Sequence, residues 1–345
     1  MNIAFFVNHV GKEGPTYATT GVAAVATRLG HSVWYIDVDG FACDPDDRVR
    51  ARARKTPEGE YVDGKAYLEA LQSDEAPIER ITVADLDVLM LRNNPAEEED
   101  AWPQAVGVTF GEAAKQQGVL VLNDPDGLWK ALNKLYFQSY PRCVRPLTLI
   151  TRDADEIKHF VAEQESVVLK PLQGYGGADV FLVNEDQKEN LNQIIDTILR
   201  DGYLVAQEYL PAAADGDIRL FLMNGAPLIV DGHYAAMHRV RSGDDMRSNL
   251  SAGGKLERAE ITDAHLELAA AVAPKLRHDG IFLAGIDIAG DKLMEVNVFS
   301  PGGLPLAEHL EDVEFCRAVV AALEEKIEIR RRYPAAFSNR ELATM

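Results

Sequence analysis

A glycine-rich turn between two apolar runs is the feature of this 345-residue chain that most constrains its fold. Residues 167–169 and 179–183 are short, apolar and rich in β-branched side chains, which predicts two paired strands. Lys170 follows the first run, and the turn QGYGGA occupies residues 173–178. Glycines let backbone N–H groups approach a ligand closely, and a neighbouring lysine suits phosphate oxygens. A plain β-hairpin with a glycine-rich turn would have the same sequence. This stretch alone therefore leaves open whether the turn binds phosphate.

Composition limits the possible partners. Lys and Arg number 35 against 55 Asp and Glu, which gives a formal charge of −20. This charge argues against nucleic acid as a partner, because phosphates would be repelled. No apolar run approaches the roughly 18 residues that span a membrane, so no membrane partner is expected. The three cysteines, at 43, 143 and 316, form neither a disulfide framework nor a metal-binding spacing, which predicts a cytoplasmic location.

The order of predicted elements divides the chain into four parts. Residues 1–124 follow the βαβ order of an open parallel α/β domain, with strands predicted at 2–7, 33–37, 86–91 and 119–122. Residues 44–72 are polar and show a weaker periodicity of apolar residues, so they are expected to be an excursion from this sheet. Residues 125–203 predict a small α+β lobe, and residues 204–330 predict a second α+β lobe. Residues 331–345 are expected to be a peripheral tail.

Two predicted strands of the second lobe carry oxygen-bearing side chains. Asp287 lies on one strand, and Glu295 and Asn297 lie two residues apart on the other. The period of two puts Glu295 and Asn297 on one face, and the turn at 290–291 brings Asp287 opposite them. Buried carboxylates are costly unless they are paired or bind metal, and Mg²⁺ prefers oxygen ligands. A solvated sheet face is the alternative.

A third group lies between the two lobes. Gln207, Glu208 and the two residues after them end a predicted strand, whose edge could bind an adenine through N–H, C=O and carboxylate groups. Asp217 and Arg219 follow, and the guanidinium fork suits phosphate or carboxylate. For each charged residue taken singly, a surface salt bridge is the favoured explanation.

From Asp85 to Pro305 the chain resembles the bacterial glutathione synthetases of the ATP-grasp superfamily. The matching segments are ADLDVLMLRNNP, VLND, LNKLYF, VVLKPLQGYGGADVFLV, AQEYLPAAADGDIRLFLMNG, RSNLSAGG and GIDIAGDKLMEVNVFSP. The resemblance implies an ATP-grasp fold of the α/β class, in which an N-terminal open parallel α/β domain precedes two α+β lobes that clamp ATP. It implies an ATP-dependent carboxylate–amine ligase that forms an acyl-phosphate and joins γ-glutamylcysteine to glycine. A ligase of another amino acid or dipeptide pair and a non-catalytic ATP-binding module are the alternatives.

The resemblance also implies roles for residues around the nucleotide. Lys134 and Lys170 are expected to hold the phosphates, and a loop over them contains Gly174, Tyr175, Gly176 and Gly177. The adenine and ribose are expected to meet Gln207, Glu208, Tyr209, Leu210 and Asp217.

Further roles concern the reacting groups. The residues expected to act in catalysis are Arg219, Lys170, Arg247 and Asn249. Mg²⁺ is expected at Asp287, Glu295 and Asn297. Amino-acid or dipeptide substrates are expected at Arg92, Arg239, Ser300, Gly302 and Gly303, and a homo-oligomer is expected. The chain departs from the family after Pro301, where it reads GGLP instead of a Thr-Cys pair and an arginine, which leaves the substrate pair open.

Overall fold

The computed structural model describes residues 1–94, 102–173, 179–184, 189–200, 202–240 and 255–345. Several residues with expected roles lie outside these ranges, namely Gly174, Tyr175, Gly176, Gly177, Arg247 and Asn249. Within these ranges no helix is both long and apolar enough to cross a membrane.

The N-terminal sheet contains strands β1 (Asn2–Phe6), β2 (Ser32–Cys43), β3 (Val49–Lys55), β4 (Ile78–Thr82), β5 (Val88–Leu91) and β6 (Leu120–Leu122). Their order is β4-β3-β2-β1-β5-β6, and β1 runs parallel to β2 and β5, as β5 does to β6. The four parallel strands confirm the predicted βαβ order. Helices of this domain are α1 (Ala18–Arg28), α2 (Gly64–Gln72) and α3 (Trp102–Gln116).

Strands β3 and β4 extend this sheet in the antiparallel direction. Because β3 lies within residues 44–72, this segment is not simply the excursion that was expected. The sequence of β3, VRARARK, alternates between apolar and basic residues over its first six positions. Its small apolar side chains, Val49, Ala51 and Ala53, are buried. This alternation is the ordinary signal of a half-buried strand, and it was present in the sequence.

The small lobe follows helix α4 (Pro125–Lys130). Its sheet contains β7 (Thr148–Thr151), β8 (Val167–Pro171), β9 (Phe181–Val183) and β10 (Leu204–Glu208), in the order β7-β10-β8-β9. Antiparallel pairing of β8 with β9 confirms the hairpin predicted around Lys170. Strand β10 pairs with both β7 and β8, so this sheet extends beyond residue 203, the limit expected from the sequence. Helices α5 (Ala154–Glu163) and α6 (Leu191–Leu199) contact it.

The large lobe has a sheet in the order β16-β15-β11-β17-β18, with β12 paired to β11. Its strands are β11 (Asp217–Met223), β12 (Ala226–Pro227), β15 (Ala236–Val240), β16 (Lys255–Glu257), β17 (Leu283–Ala289) and β18 (Lys292–Asn297). A separate short pair is formed by β13 (Ile229–Val230) and β14 (His233–Tyr234). Four helices complete the chain: α7 (Asp263–His278), α8 (Leu304–Glu311), α9 (Phe315–Arg332) and α10 (Asn339–Thr344).

The last residues pack onto the N-terminal domain, so they are not the peripheral tail that the sequence suggested. Leu342 and Ala343 of α10 are buried in the core. The side chain of Asn339 accepts a hydrogen bond from the N–H of Val121 and donates one to its C=O, at 2.8 and 2.9 Å. Asn339 therefore satisfies the exposed backbone of edge strand β6 as a further strand would.

The hydrophobic core divides the molecule into two bodies. One cluster joins Phe5 of β1 and Val22 of α1 to Phe315 and Val319 of α9. A second cluster also mixes residues of the N-terminal domain with residues of the large lobe. The small lobe has its own cluster, which contains Ile157, Val167, Leu169, Ile195 and Leu204. The N-terminal domain and the large lobe thus form one packed unit, and the small lobe packs around a separate core.

A single buried amide fixes the β17–β18 hairpin to the N-terminal domain. Asn123, which follows β6, is 4% exposed. Its Oδ1 accepts from the N–H groups of Phe282 and Leu283 at 2.8 and 3.0 Å, and its Nδ2 donates to the C=O groups of Leu283 and Val298. Because a buried amide is costly unless it is hydrogen-bonded, this position strongly favours asparagine. The hairpin that carries Asp287 and Glu295 is thereby held in place.

Candidate active site

A cavity of about 370 Å³ brings together strand residues of the small and large lobes and loop residues of all three parts of the fold. Ten of the residues with expected roles line it: Lys134, Lys170, Gln207, Arg219, Arg239, Glu295, Asn297, Ser300, Gly302 and Gly303. Residues far apart in sequence therefore share one site. Their assigned roles stay predictions, but the structure places them where one ligand could meet all of them.

Two lysines enter the cavity from the small lobe. Lys170 lies near the end of β8, where its Nζ donates to Gln207 Oε1 at 3.0 Å. Lys134 begins a short 3₁₀ helix at 134–139, and its Nζ donates to the C=O of Pro171 at 2.9 Å. Burial and the charge of Lys170 lower the pKa of Lys134 to about 8. Burial also lowers the pKa of Lys170, although Glu295 opposes the shift. Both lysines thus hold their proton less tightly than a lysine exposed to water does.

An apolar wall of the same cavity was not predicted. Its side chains come from the short helix after Asn133, from the middle of β10 and from β18, and they include Tyr136, Phe137, Val205, Met294 and Val296. Aromatic and aliphatic residues at such positions look like ordinary core residues in a sequence. Only the arrangement of the strands shows that they face a cavity, so no local signal could have singled them out.

A buried network of charges lies under the arginine side of the cavity. Arg219 donates to Asp287 through Nε and Nη2 at 2.8 and 2.7 Å, and Arg239 Nη2 lies 2.9 Å from Asp287 Oδ2. The Nδ2 of Asn297 donates to the same oxygen at 3.1 Å. Burial alone would raise the pKa of Asp287, but the charges of Arg219 and Arg239 outweigh it and hold that pKa below its usual range. Asp287 is therefore ionised at neutral pH.

The three residues expected to bind metal lie together, as the period of two predicted. Asp287 and Glu295 are directly paired across β17 and β18. Glu295 and Asn297 line the cavity, whereas Asp287 lies behind the two arginines. Among the described residues, no group of three or more His, Cys, Asp or Glu side chains is arranged to hold a metal. Two carboxylates and an amide are nevertheless the oxygen donors that Mg²⁺ takes together with phosphate oxygens, so this donor set fits the ion.

Arg92 does not line the cavity but supports the turn that does. The residue is 4% exposed, and its guanidinium donates to the C=O groups of Phe299 and Pro301 at 3.1 and 3.3 Å and to Thr19 Oγ1 at 3.3 Å. Burial lowers the pKa of Arg92 to about 10. In the structure Arg92 thus fixes the backbone of the 299–303 turn, and its expected contact with a substrate stays a prediction.

The turn itself is shaped by its glycines. Gly303 has φ +95°, a conformation that favours glycine, and a Cβ there would also lie 2.6 Å from Met237 Cε. A Cβ on Gly302 would meet no atom within 4 Å. Helix α8 begins directly after Gly303, with its N-terminal end at the cavity.

Most of the residues expected around adenine and ribose do not line the cavity. The N–H groups of Glu208 and Tyr209 already donate to Leu147 and Ser166, at 2.9 and 3.1 Å. Asp217 is 2% exposed and bonded to Arg239, so it lies under the cavity wall. Among the described residues, Glu208, Tyr209, Leu210 and Asp217 do not line the cavity, and their expected contacts stay predictions.

The sheets and the cavity define a class of protein. A cavity lined by lysines of a small α+β lobe and by arginines and a carboxylate of a larger one is the arrangement expected of an ATP-grasp ligase. D-cycloserine synthetase superposes with a TM-score of 0.62 at 15% identity, over 93% of this chain and 100% of that one. D-alanyl-alanine synthetase A of Vibrio cholerae superposes with a TM-score of 0.59 at 12% identity, over 95% and 98%. These similarities confirm the ATP-grasp fold.

Sequence relatives identify the family within this class. The family model described as prokaryotic glutathione synthetase, ATP-grasp domain, matches residues 133–312, and that of the N-terminal domain matches residues 1–129. The glutathione synthetase of Synechococcus elongatus is 31% identical over 94% of this chain and 98% of its own length. That of Thermosynechococcus vestitus is 39% identical over 60% and 63%. The chain belongs to the prokaryotic glutathione synthetase family, and it is an ATP-dependent carbon–nitrogen ligase.

The lowered pKa of Lys134 predicts how ATP binding depends on pH. Nucleotide phosphates would raise this pKa above its free value of about 8. Binding then requires no proton below pH 8 but requires one above it, so the affinity should fall by up to about tenfold per pH unit between about pH 8 and 10. The last phosphate pKa lies at about 6, so these groups are almost fully ionised at pH 8 and do not contribute there.

Calorimetric titration with a non-hydrolysable ATP analogue, in buffers of different ionisation enthalpy, measures both the affinity and the proton uptake. The Lys134→Met variant should bind more weakly at pH 8 and show a shallower decline. An affinity that stays constant from pH 8 to 10 would contradict the role of these lysines.

Proposed function

We propose that this protein joins the cysteine carboxylate of γ-glutamylcysteine to the amine of glycine, with ATP converted to ADP and phosphate. The observation that supports this most strongly is the cavity in which Lys134 and Lys170 face Arg219 and Arg239. Four cations around one cavity suit a polyphosphate and a carboxylate that must react with each other. The family membership of nearly the whole chain agrees with this reaction.

The chemistry follows from the difficulty of acylating an amine with a carboxylate. A carboxylate oxygen attacks the γ-phosphorus of ATP, the bond from that phosphorus to the bridging oxygen breaks, and ADP leaves with the electron pair. The amine of the acceptor then attacks the acyl-phosphate carbon, loses a proton and expels phosphate. Lys134, Lys170, Arg219 and Arg239 lower the energy of the negative charge that develops on the transferred group.

Glu295, Asn297 and Asp287 would hold Mg²⁺ if the proposal is correct. The ion would neutralise phosphate oxygens during the transfer. In the structure Asp287 already binds two guanidinium groups, so Glu295 and Asn297 are the donors with access to the cavity. The arginines meanwhile keep Asp287 ionised, which is the state that a metal ligand requires.

The acceptor end of the cavity supports a second candidate. Arg92 is committed to backbone carbonyl groups, and the turn presents Gly302 and Gly303 in place of larger polar side chains. The open space at Gly302 could take an amine larger than glycine. Ligation of a different amino acid or dipeptide pair at the same site is therefore the alternative.

The remaining expectations concern the setting of the reaction. A cytoplasmic location is consistent with free thiols at Cys43, Cys143 and Cys316. The charge of −20 supports small-molecule substrates over nucleic acid, because a polyanion would be repelled outside the cationic cavity. A homo-oligomer and the absence of a membrane partner are part of the same proposal.

The function is tested by measuring ADP release with a panel of acyl donors and amines. We expect release with γ-glutamylcysteine and glycine to exceed release with either substrate alone. Larger amines in place of glycine decide between the two candidates, because the preferred acceptor gives the highest kcat/KM. ADP release that no substrate pair stimulates would contradict the proposed ligation.

The Glu295→Gln variant tests the metal assignment. The change removes one negative charge and one good ligand oxygen while it keeps the size of the side chain, so turnover at saturating Mg²⁺ and ATP should fall by about 100-fold or more. Glu295 is exposed, so thermal unfolding without metal should be unchanged. The matched control is Asp291→Asn, an exposed position at the turn of the same hairpin, which should turn over normally. Normal turnover of the Glu295→Gln variant would remove the metal assignment.

A further inference from the structure

Three neighbouring strands place two arginines and two aspartates in matching positions. Asp217 of β11 is the register partner of Arg239 on β15, and Arg219 of β11 is the partner of Asp287 on β17. Asp217 and Arg219 are two residues apart, so both side chains leave β11 on the same face. The four charges therefore form one continuous row across the sheet, with Arg239 and Arg219 both reaching Asp287.

Asp217 lies at the inner end of this row. Its side chain is 1% exposed, and its Oδ2 accepts from both Nε, at 3.0 Å, and Nη2 of Arg239. The guanidinium of Arg239 covers it on the cavity side. Two carboxylates outweigh the effect of burial and raise the pKa of Arg239. The row balances two cations with two anions, so the loss of Asp217 would leave an excess positive charge.

The residue before Asp217 lies close to the backbone of the same arginine. Gly216 has φ +112°, and a Cβ there would lie 2.1 Å from the C=O oxygen of Arg239. Only glycine lets β11 approach the backbone of β15 this closely. Gly216 therefore sets the position of the Arg239 backbone, and Asp217 sets the position of its side chain.

We propose that Asp217 is a positioning residue, which fixes the guanidinium of Arg239 at the cavity wall, and that it does not bind the ribose of the nucleotide. An arginine side chain loses much rotamer freedom when it is ordered, and Asp217 orders it before any substrate arrives. Asp217 also competes with Asp287 for Arg239, so the arginine is shared between them. This role rests on the proposed function only in that Arg239 is expected to act on the reacting groups.

The decisive measurement compares the binding of ATP and of 2′-deoxyATP, without other substrates, to the wild-type chain and to Asp217→Asn. A positioning role predicts that the ratio of the two Kd values is the same in both proteins, within about twofold. A ribose contact predicts that the wild type favours ATP and that the variant loses this preference, which would overturn the proposal. This comparison requires no turnover, so it stands whether or not the proposed ligation is found.

Turnover gives the second comparison. Asp217→Asn should lower kcat/KM at least about tenfold, because a displaced catalytic group is costly even over short distances. Since Asp217 acts through Arg239, the double variant with Arg239→Met should be no slower than Arg239→Met alone. Independent, multiplicative losses would overturn the positioning role. The melting temperature of every variant is measured as well. If Asp217→Asn acted on folding alone, it would lower the melting temperature by the same amount in the wild-type chain and in the Arg239→Met variant.

Two further variants complete the design. Asp215→Asn, at an exposed position two residues earlier, is the control and should behave as the wild type does. Asp217→Glu keeps the charge and serves if the asparagine variant does not fold. Its longer side chain should displace Arg239, so kcat/KM should fall while the ratio of the Kd values for ATP and 2′-deoxyATP stays unchanged. A changed ratio in Asp217→Glu would count against the proposal as it would in Asp217→Asn.

Discussion

The carboxylate of Asp287 is held between the guanidinium groups of Arg219 and Arg239, and the geometry of the cavity depends on that contact. A buried carboxylate is tolerable only while it is paired, and removal of either partner would leave an uncompensated charge. The pairing fixes the registers of β15, β11 and β17 relative to one another, since each partner lies on a different strand. It also turns both arginines towards the cavity, where they can meet an anionic ligand.

The cations of the site come from two bodies with separate cores. Lys134 and Lys170 belong to the small lobe, whereas Arg219 and Arg239 belong to the unit that the large lobe forms with the N-terminal domain. Burial lowers the pKa of both lysines, and the carboxylate of Glu295 opposes this shift. The negative charges of a nucleotide and a substrate carboxylate would further stabilise the protonated lysines. Although the chain has a formal charge of −20, four basic side chains line this cavity and would favour an anionic ligand.

The sequence predicted the features that depend on local patterns. The hairpin around Lys170 and the face shared by Glu295 and Asn297 follow from the period of two in a strand. The pairing of Asp217 with Arg239 could not be read in this way, because it depends on how β15 is aligned against β11. The contacts of Arg92 could not be predicted either, because its guanidinium donates to carbonyl groups about 200 residues away in sequence. The docking of Asn339 on β6 required the same three-dimensional information.

The most direct test of the account follows the oxygen of the substrate carboxylate. The proposed route transfers one carboxylate oxygen to phosphorus, because the carbon–oxygen bond breaks when the amine attacks the acyl-phosphate. γ-Glutamylcysteine labelled with ¹⁸O in its cysteine carboxylate is incubated with ATP and the acceptor, and the released phosphate is analysed by mass spectrometry. The account predicts one ¹⁸O atom in each phosphate released from fully labelled substrate. Unlabelled phosphate, with product formed, would contradict it.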